Sequence, residues 1–239
     1  MEVKVNAIVI RAVDYKDNDR ILTLYSLEKG KITAGIKGVK KAGAKLKFAS
    51  EPFCFAEYIL AEKNGRYTVT GASYYESFYD LRLNLNKYYL SAVVSEFLNA
   101  YTETEIADPI LFDSALNTIK NICYQDNEIA HLAKFMYTAI NGLGYQIESS
   151  NCAYCGETIK GRVFFRYKDA TFACEECVLE DYSEIRKETY SALTKIIEDN
   201  LEDLKNNVDG AKMLTYFLAH YLAVKTDVRL KSIESIKDI

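Results

Sequence analysis

Four cysteines in two pairs carry the clearest chemistry in this chain. Cys152-Ala153-Tyr154-Cys155 and Cys174-Glu175-Glu176-Cys177 are both Cys-x-x-Cys, with 18 residues between Cys155 and Cys174. Two intervening residues let both thiolates of a pair face one ion, and a linker of this length can fold back to bring the second pair to the same point. This is the spacing of a four-thiolate zinc site. Four thiolates saturate a tetrahedral ion, so such a site is structural and leaves no open position for water or substrate. Val163-Phe164-Phe165 and Thr171-Phe172-Ala173, with a turn near Tyr167-Lys168-Asp169, are the expected hairpin between the pairs, and Gly156 suits the turn after the second thiolate. Two other fates stay open for these residues: a redox dithiol, which needs only one pair, and a set of unligated thiols. Cys54, in an expected strand, and Cys123, at an expected helix end, are predicted to be buried small apolar side chains.

Nothing comparable points to catalysis. His131 and His220 are the two histidines of the chain, each on an expected helix without a partner motif. His131 is expected at a surface or boundary position. The Pro-Cys-x-x-Cys element of nucleobase deaminases does not occur. Gly38 to Lys45 superficially resembles a phosphate-binding loop, but one residue separates Gly43 from Lys45 and no Ser or Thr follows the lysine. The expectation is a binding protein and not an enzyme.

A second cluster is basic. Lys37, Lys40, Lys41, Lys45 and Lys47 are separated mainly by Gly and small residues, so a flexible loop is expected that could follow a phosphate backbone. A solvated loop that aids solubility is the plain alternative. Up to Tyr79 the chain holds 13 Lys+Arg against 9 Asp+Glu; the remainder holds 17 against 25, for an overall −4. A nucleic-acid partner must therefore be met by a local patch rather than by the chain as a whole. Arg11, Arg20, Tyr25, Lys31 and Tyr67 are candidate groove residues beside the loop.

The elements that must position these residues fall into zones. Residues 1–79 contain five short alternating runs: Val3 to Ala12 with a shift that suggests a bulge, Arg20 to Tyr25, Ile32 to Ile36, Phe53 to Leu60, and Tyr67 to Gly71, the last two joined by Asn64-Gly65. The pattern suggests a small barrel, with a small antiparallel sandwich as the competing reading that periodicity alone does not separate. Residues 80–239 change to helical periodicity, as in Tyr89, Leu90, Val93, Val94, Phe97 and Leu98, with Asp108-Pro109 as a helix start. The apolar stripes predict one bundle-like core. The cysteine element, at about 150–181, interrupts these helices.

Composition bounds the class. The 239 residues are 49% hydrophobic and 27% charged, with 2 Pro and 11 Gly, which excludes collagen-like and Pro/Gly-rich disordered chains. No 18-residue apolar run predicts a membrane span. Met1 to Asn6 has neither the basic nor the apolar region of a secretory signal, so the cytoplasm is the expected compartment.

Taken together, these motifs resemble the RecO family of bacterial DNA repair and recombination mediators over most of the chain. The resemblance runs through Ala7-Ile8-Val9-Ile10, Tyr15 to Ser26, Glu28-Lys29-Gly30-Lys31, Lys37-Gly38-Val39-Lys40-Lys41, Ser50-Glu51-Pro52-Phe53, Leu81 to Leu85, Leu143-Gly144-Tyr145, the four cysteines and Leu230-Lys231-Ser232. It implies an α+β multidomain protein: an N-terminal OB-fold β-barrel, then an all-α helical domain with an inserted four-cysteine zinc finger. It further implies binding of single- and double-stranded DNA and annealing of complementary strands. RecR and single-stranded DNA-binding protein are the implied partners in loading RecA, with association with the nucleoid when active. It carries over no catalytic residue. On this view Cys152, Cys155, Cys174 and Cys177 hold zinc, and Lys37, Lys40, Lys41, Lys45, Lys47, Arg11, Arg20 and Lys31 are the expected DNA contacts. The reading from another class is a protein-interaction scaffold with a structural zinc finger and no direct nucleic-acid contact.

Overall fold

In the computed structural model, which describes residues 2–236, the first strand decides between barrel and sandwich. β1 (Glu2–Tyr15) is 14 residues long and serves two neighbours. Residues 2–8 pair with β4 (Phe55–Lys63), and residues 7–15 pair with β2 (Asp19–Ser26). The register shifts between Val9 and Arg11, and this bulge bends the strand from one partner to the other. β3 (Gly30–Ile36) pairs antiparallel with β2, and β5 (Arg66–Glu76) antiparallel with β4. A short parallel pairing of Ala34–Ile36 with Tyr67–Val69 closes the barrel in the order β1-β2-β3-β5-β4. This is an OB-fold barrel.

Alternation along each strand sends Val5, Ala7, Val9, Leu22, Leu24, Ile32, Ala34, Ile36, Tyr58 and Leu60 inward. The basic loop is less free than its composition suggests. Val39 and Ala49 are buried in the barrel core, and the backbone between them forms successive turns, with Lys41, Ala44 and Lys47 donating to the carbonyls of Gly38, Lys41 and Ala44. Two apolar side chains thus hold five lysines on a shaped track.

The helices do not form the single core that their stripes predict. The chain divides into two compact units, one reaching to Tyr124 and the other starting at Gln125. The first contains the barrel with α1 (Leu85–Tyr101) and α2 (Pro109–Tyr124). Asn84 caps α1 by accepting from the N–H groups of Asn86 and Lys87, and Asp108 caps α2 by accepting from Leu111 N–H at 2.9 Å. α2 also covers the outer face of β2: Tyr25, expected in a groove, is fully buried with its ring 6.2 Å from that of Phe112.

The second unit holds α3 (Glu128–Gly142), β6 (Val163–Arg166), β7 (Thr171–Cys174), β8 (Ser183–Ile185), α4 (Lys187–Ile197), α5 (Leu201–Lys205) and α6 (Val208–Thr226). The three strands form a sheet in the order β7-β6-β8. Phe165 of β6 is fully buried, with ring centroids 5.0 Å from Phe217 and 5.8 Å from Tyr221 of α6. Burying a side chain of this size contributes about 1.5–3 kcal/mol, so the cysteine element and α6 share one core. His131 on α3 is buried rather than at the surface, because α5 and α6 pack on α3. Among the described residues, no helix is long and apolar enough to cross a membrane.

Candidate functional site

The cysteine site is assembled by backbone geometry. Gly156 has φ +76°, and its N–H donates to the Cys152 carbonyl at 2.9 Å, closing the first knuckle. Ala153 N–H donates to Phe172 O at 2.8 Å, which ties that knuckle to β7. Cys174 ends β7, and Cys177 N–H donates to its carbonyl at 3.1 Å, closing the second knuckle. The Arg166–Asp169 ion pair braces the intervening turn, and Arg166 first of all holds the Asp169 carboxyl down at about 2. All four sulfur atoms lie within 4.8 Å of one another. Sulfurs around one tetrahedral ion at a metal–sulfur distance of about 2.3 Å would lie about 3.8 Å apart. Cys152 is buried, Cys155 exposed, and Cys174 and Cys177 are half-buried. Burial opposes ionisation of Cys152, but N–H groups of Cys155, Cys174 and Tyr154 outweigh it and bring the thiol down to about 6. Hydrogen bonding to Cys174 and burial push Cys177 up to about 12. Only part of the cluster ionises readily without a cation, as expected where thiolates crowd together. Donor type, number and spacing fit a tetrahedral metal ion.

The barrel carries the second site. A cleft of about 530 Å³ crosses β2, β3 and β5, with Tyr15, Arg20, Lys37, Gly65, Arg66 and Tyr67 among its walls. A hollow of about 380 Å³ adjoins it, lined by residues 16–19 with Lys37, Gly38 and Lys41; Asp19 and Lys37 belong to both. The turns after β1 and β4 bracket this face, as they do in OB-folds that bind oligonucleotides.

The expected contact residues divide. Lys37 and Lys41 line the cavities and are exposed, with Lys45 and Lys47 exposed farther along the loop. Lys40 is paired with Asp14 at 2.6 Å. Arg20 lines the cleft, but its guanidinium is engaged by Asp14 at 3.0 Å, Glu51 at 3.1 Å and the Ser50 carbonyl at 3.1 Å, so it anchors the loop. Arg11 is exposed on β1 opposite Thr23 and lines neither cavity. Lys31 turns elsewhere: its ammonium donates to the carbonyls of Asn99 and Thr102 at 2.7 and 2.6 Å, at the end of α1. Lys16, Arg66 and Tyr15 also line the cavities and were not anticipated. Their signal is position, because they flank the β1–β2 and β4–β5 turns.

Comparison with known proteins covers both units. Residues 1–78 match the family model described as Recombination protein O N terminal, and residues 82–234 match Recombination protein O C terminal. A DNA repair protein RecO of Acetivibrio thermocellus is 28% identical over 205 residues, covering 84% of this chain and 81% of the relative. One from Caldicellulosiruptor saccharolyticus is 25% identical over 236 residues, covering 95% and 96%. One from Clostridium perfringens is 26% identical over 196 residues, covering 82% and 80%.

Proposed function

Because the chain belongs to the RecO family of DNA repair proteins, we propose that it is a recombination mediator that binds DNA on the barrel cleft. In this reading it accepts single and double strands, anneals complementary strands, and acts with RecR and single-stranded DNA-binding protein to load RecA. Its work is binding and strand positioning, with no catalytic step.

The contiguous cleft and hollow support the reading most directly. Lys16, Lys37, Lys41 and Arg66 line them, and none of these four makes an ion pair among the described residues. Lys45 and Lys47 extend the same track. Lysines and arginines that meet phosphates release the cations condensed on the strand, and six such contacts on a single strand give a salt slope of about −4. Tyr15, 48% exposed at the cleft, offers a face on which a base can stack, a contact worth about 1–3 kcal/mol.

We assign the four thiolates to zinc, which on binding cross-links both knuckles and contributes about 10–16 kcal/mol to folding of such elements. The chain's own part is to hold the sulfurs in place through β6, β7 and the knuckle hydrogen bonds.

Fluorescence anisotropy with a labelled single strand, across a salt series on zinc-loaded protein, tests the DNA assignment. Micromolar or tighter binding with a slope near −4 is expected. No binding at low salt would overturn it and favour the scaffold reading.

A further inference from the structure

The edge of β3 raises a question that the cleft alone does not answer. β5 pairs with β3 only over Ala34–Ile36, which leaves the Gly30–Thr33 stretch without that neighbour. The α1–α2 linker takes the place. Thr104 forms a parallel bridge to Lys31, and Glu105 N–H donates to Lys31 O at 2.9 Å. The Lys31 ammonium holds the end of α1, from which the linker departs. Gly30 admits the linker at close range, since a Cβ there would lie 1.9 Å from Ile106 O.

The composition of this linker is odd for its position. Glu103, Glu105 and Asp108 are exposed, and residues 102–108 include no Lys or Arg. Edges are usually guarded by lysine, and glutamate is a poor strand former. Glu105 also takes φ +60°, a left-handed conformation that glycine or asparagine would hold with less strain. Its carboxylate accepts from the hydroxyl of Tyr67, a wall of the cleft, and this bond first, then burial, pushes that hydroxyl up to about 12; the Lys29 ammonium lies 5.9 Å from the Tyr67 ring centre. A strained acidic residue therefore stands at one end of a cationic cleft.

We propose that the Glu103–Asp108 linker is an acidic brake on the barrel, repelling phosphates at the Tyr67 end and confining a strand to the Lys37–Lys41 side. The brake rests on the DNA-binding reading above and adds a regulatory element to the same site. Like charges set beside a binding path weaken association, and salt screens them.

The test measures single-strand affinity for wild type, Glu105→Gln, Glu103→Gln/Glu105→Gln, and a control, Asp113→Asn, an exposed charge on α2 outside both cavities. At about 50 mM salt, Glu105→Gln should bind about threefold to tenfold tighter and the double variant tighter still, while the control stays at wild-type affinity. The gain should shrink as salt rises and be smaller at about 0.15 M, where the screening length is about 8 Å. Melting temperature should not change, because backbone contacts and Lys31 hold the linker. Equal affinity of wild type and both Glu variants would overturn the brake and leave the DNA reading standing. Tightening by Asp113→Asn to the same extent would also overturn it, as an effect of net charge. Absence of binding in every variant would overturn both. Binding by the Glu variants alone would mean that the brake is complete.

Discussion

The ammonium of Lys40 lies 2.6 Å from the carboxylate of Asp14, which also accepts from Arg20 Nε at 3.0 Å. One carboxylate thus occupies two cations beside the cleft. Lys40, and then Arg20, hold the Asp14 carboxyl below its usual range. The sign follows: a lowered pKa contributes above the unfolded value of about 3.9 and is lost as pH falls through the folded one. The pairs therefore persist from pH 5 upward. Asp14→Asn should release Lys40, while Glu51 and the Ser50 carbonyl still hold Arg20; it should steepen the salt slope by about 0.7 and tighten single-strand binding. Lys41→Ala should flatten the slope by about 0.7, and Lys40→Ala by less, because Lys40 is already paired. Salt titrations of the three variants check this order, and equal slopes for Lys40→Ala and Lys41→Ala would refute it.

The knuckles predict a local failure. Cys152→Ser or Cys174→Ser removes one of four thiolates, so bound zinc should fall from about one to well below one per chain. β6, β7 and β8 should loosen, and α6 with them, because Phe165 packs on Phe217 and Tyr221. The barrel has its own core and should remain folded. Zinc assay and limited proteolysis check this: cuts are expected within about 150–185, with the N-terminal fragment resistant. Full zinc content in either variant would remove the metal assignment.

Much of this was legible from local patterns. The five strands follow alternation, the α2 start follows Asp108-Pro109, and the cysteine spacing led to sulfurs that converge. Longer-range features were not legible. β8 is three residues long, Ser183–Ile185, and exists because Val163–Phe165 offers it an edge. The apolar stripe Tyr190, Leu193, Ile196, Ile197 and Leu201 predicts one helix by its spacing, but the chain breaks into α4 and α5 at Asp199, whose φ is +54° with no glycine or proline to signal it. Tyr25 does point out of the barrel, as alternation requires, but a helix 87 positions later in sequence covers it through Phe112. Lys31 looked like a groove cation because periodicity cannot show that α1 ends beside it. Which lysines remain available depends on acceptors that only the fold brings near.

His131 gives a pH dependence. It is 5% exposed on α3, and among the described residues no hydrogen-bond partner reaches its Nε2. Burial lowers its pKa; Lys205 and Lys134 act in the same direction, while Glu202 and Glu128 oppose them. Its contribution to stability is intact above the unfolded value of about 6.5 and is lost as pH falls from there through the lowered folded value. The second unit should therefore melt at lower temperature at pH 5.5 than at pH 7.5. His131→Phe, which keeps an apolar ring, should shrink that difference. An unchanged difference in the variant would assign the pH dependence to other groups.

Gly30 and Gly43 both hold left-handed conformations, at φ +63° and +75°, but their surroundings differ. A Cβ at Gly43 meets nothing within 4 Å, whereas one at Gly30 would sit 1.9 Å from Ile106 O and 2.6 Å from Ile106 C. Gly43→Ala should therefore cost only the backbone conformation, about 1 kcal/mol. Gly30→Ala carries the same cost and must also push away a backbone carbonyl, which no rotamer change can relieve, for a total of about 2–4 kcal/mol. The excess reports the seating of the α1–α2 linker against β3. Urea unfolding of the two variants side by side measures it. Equal losses would mean that the linker yields freely and that its place on the barrel edge is only weakly held.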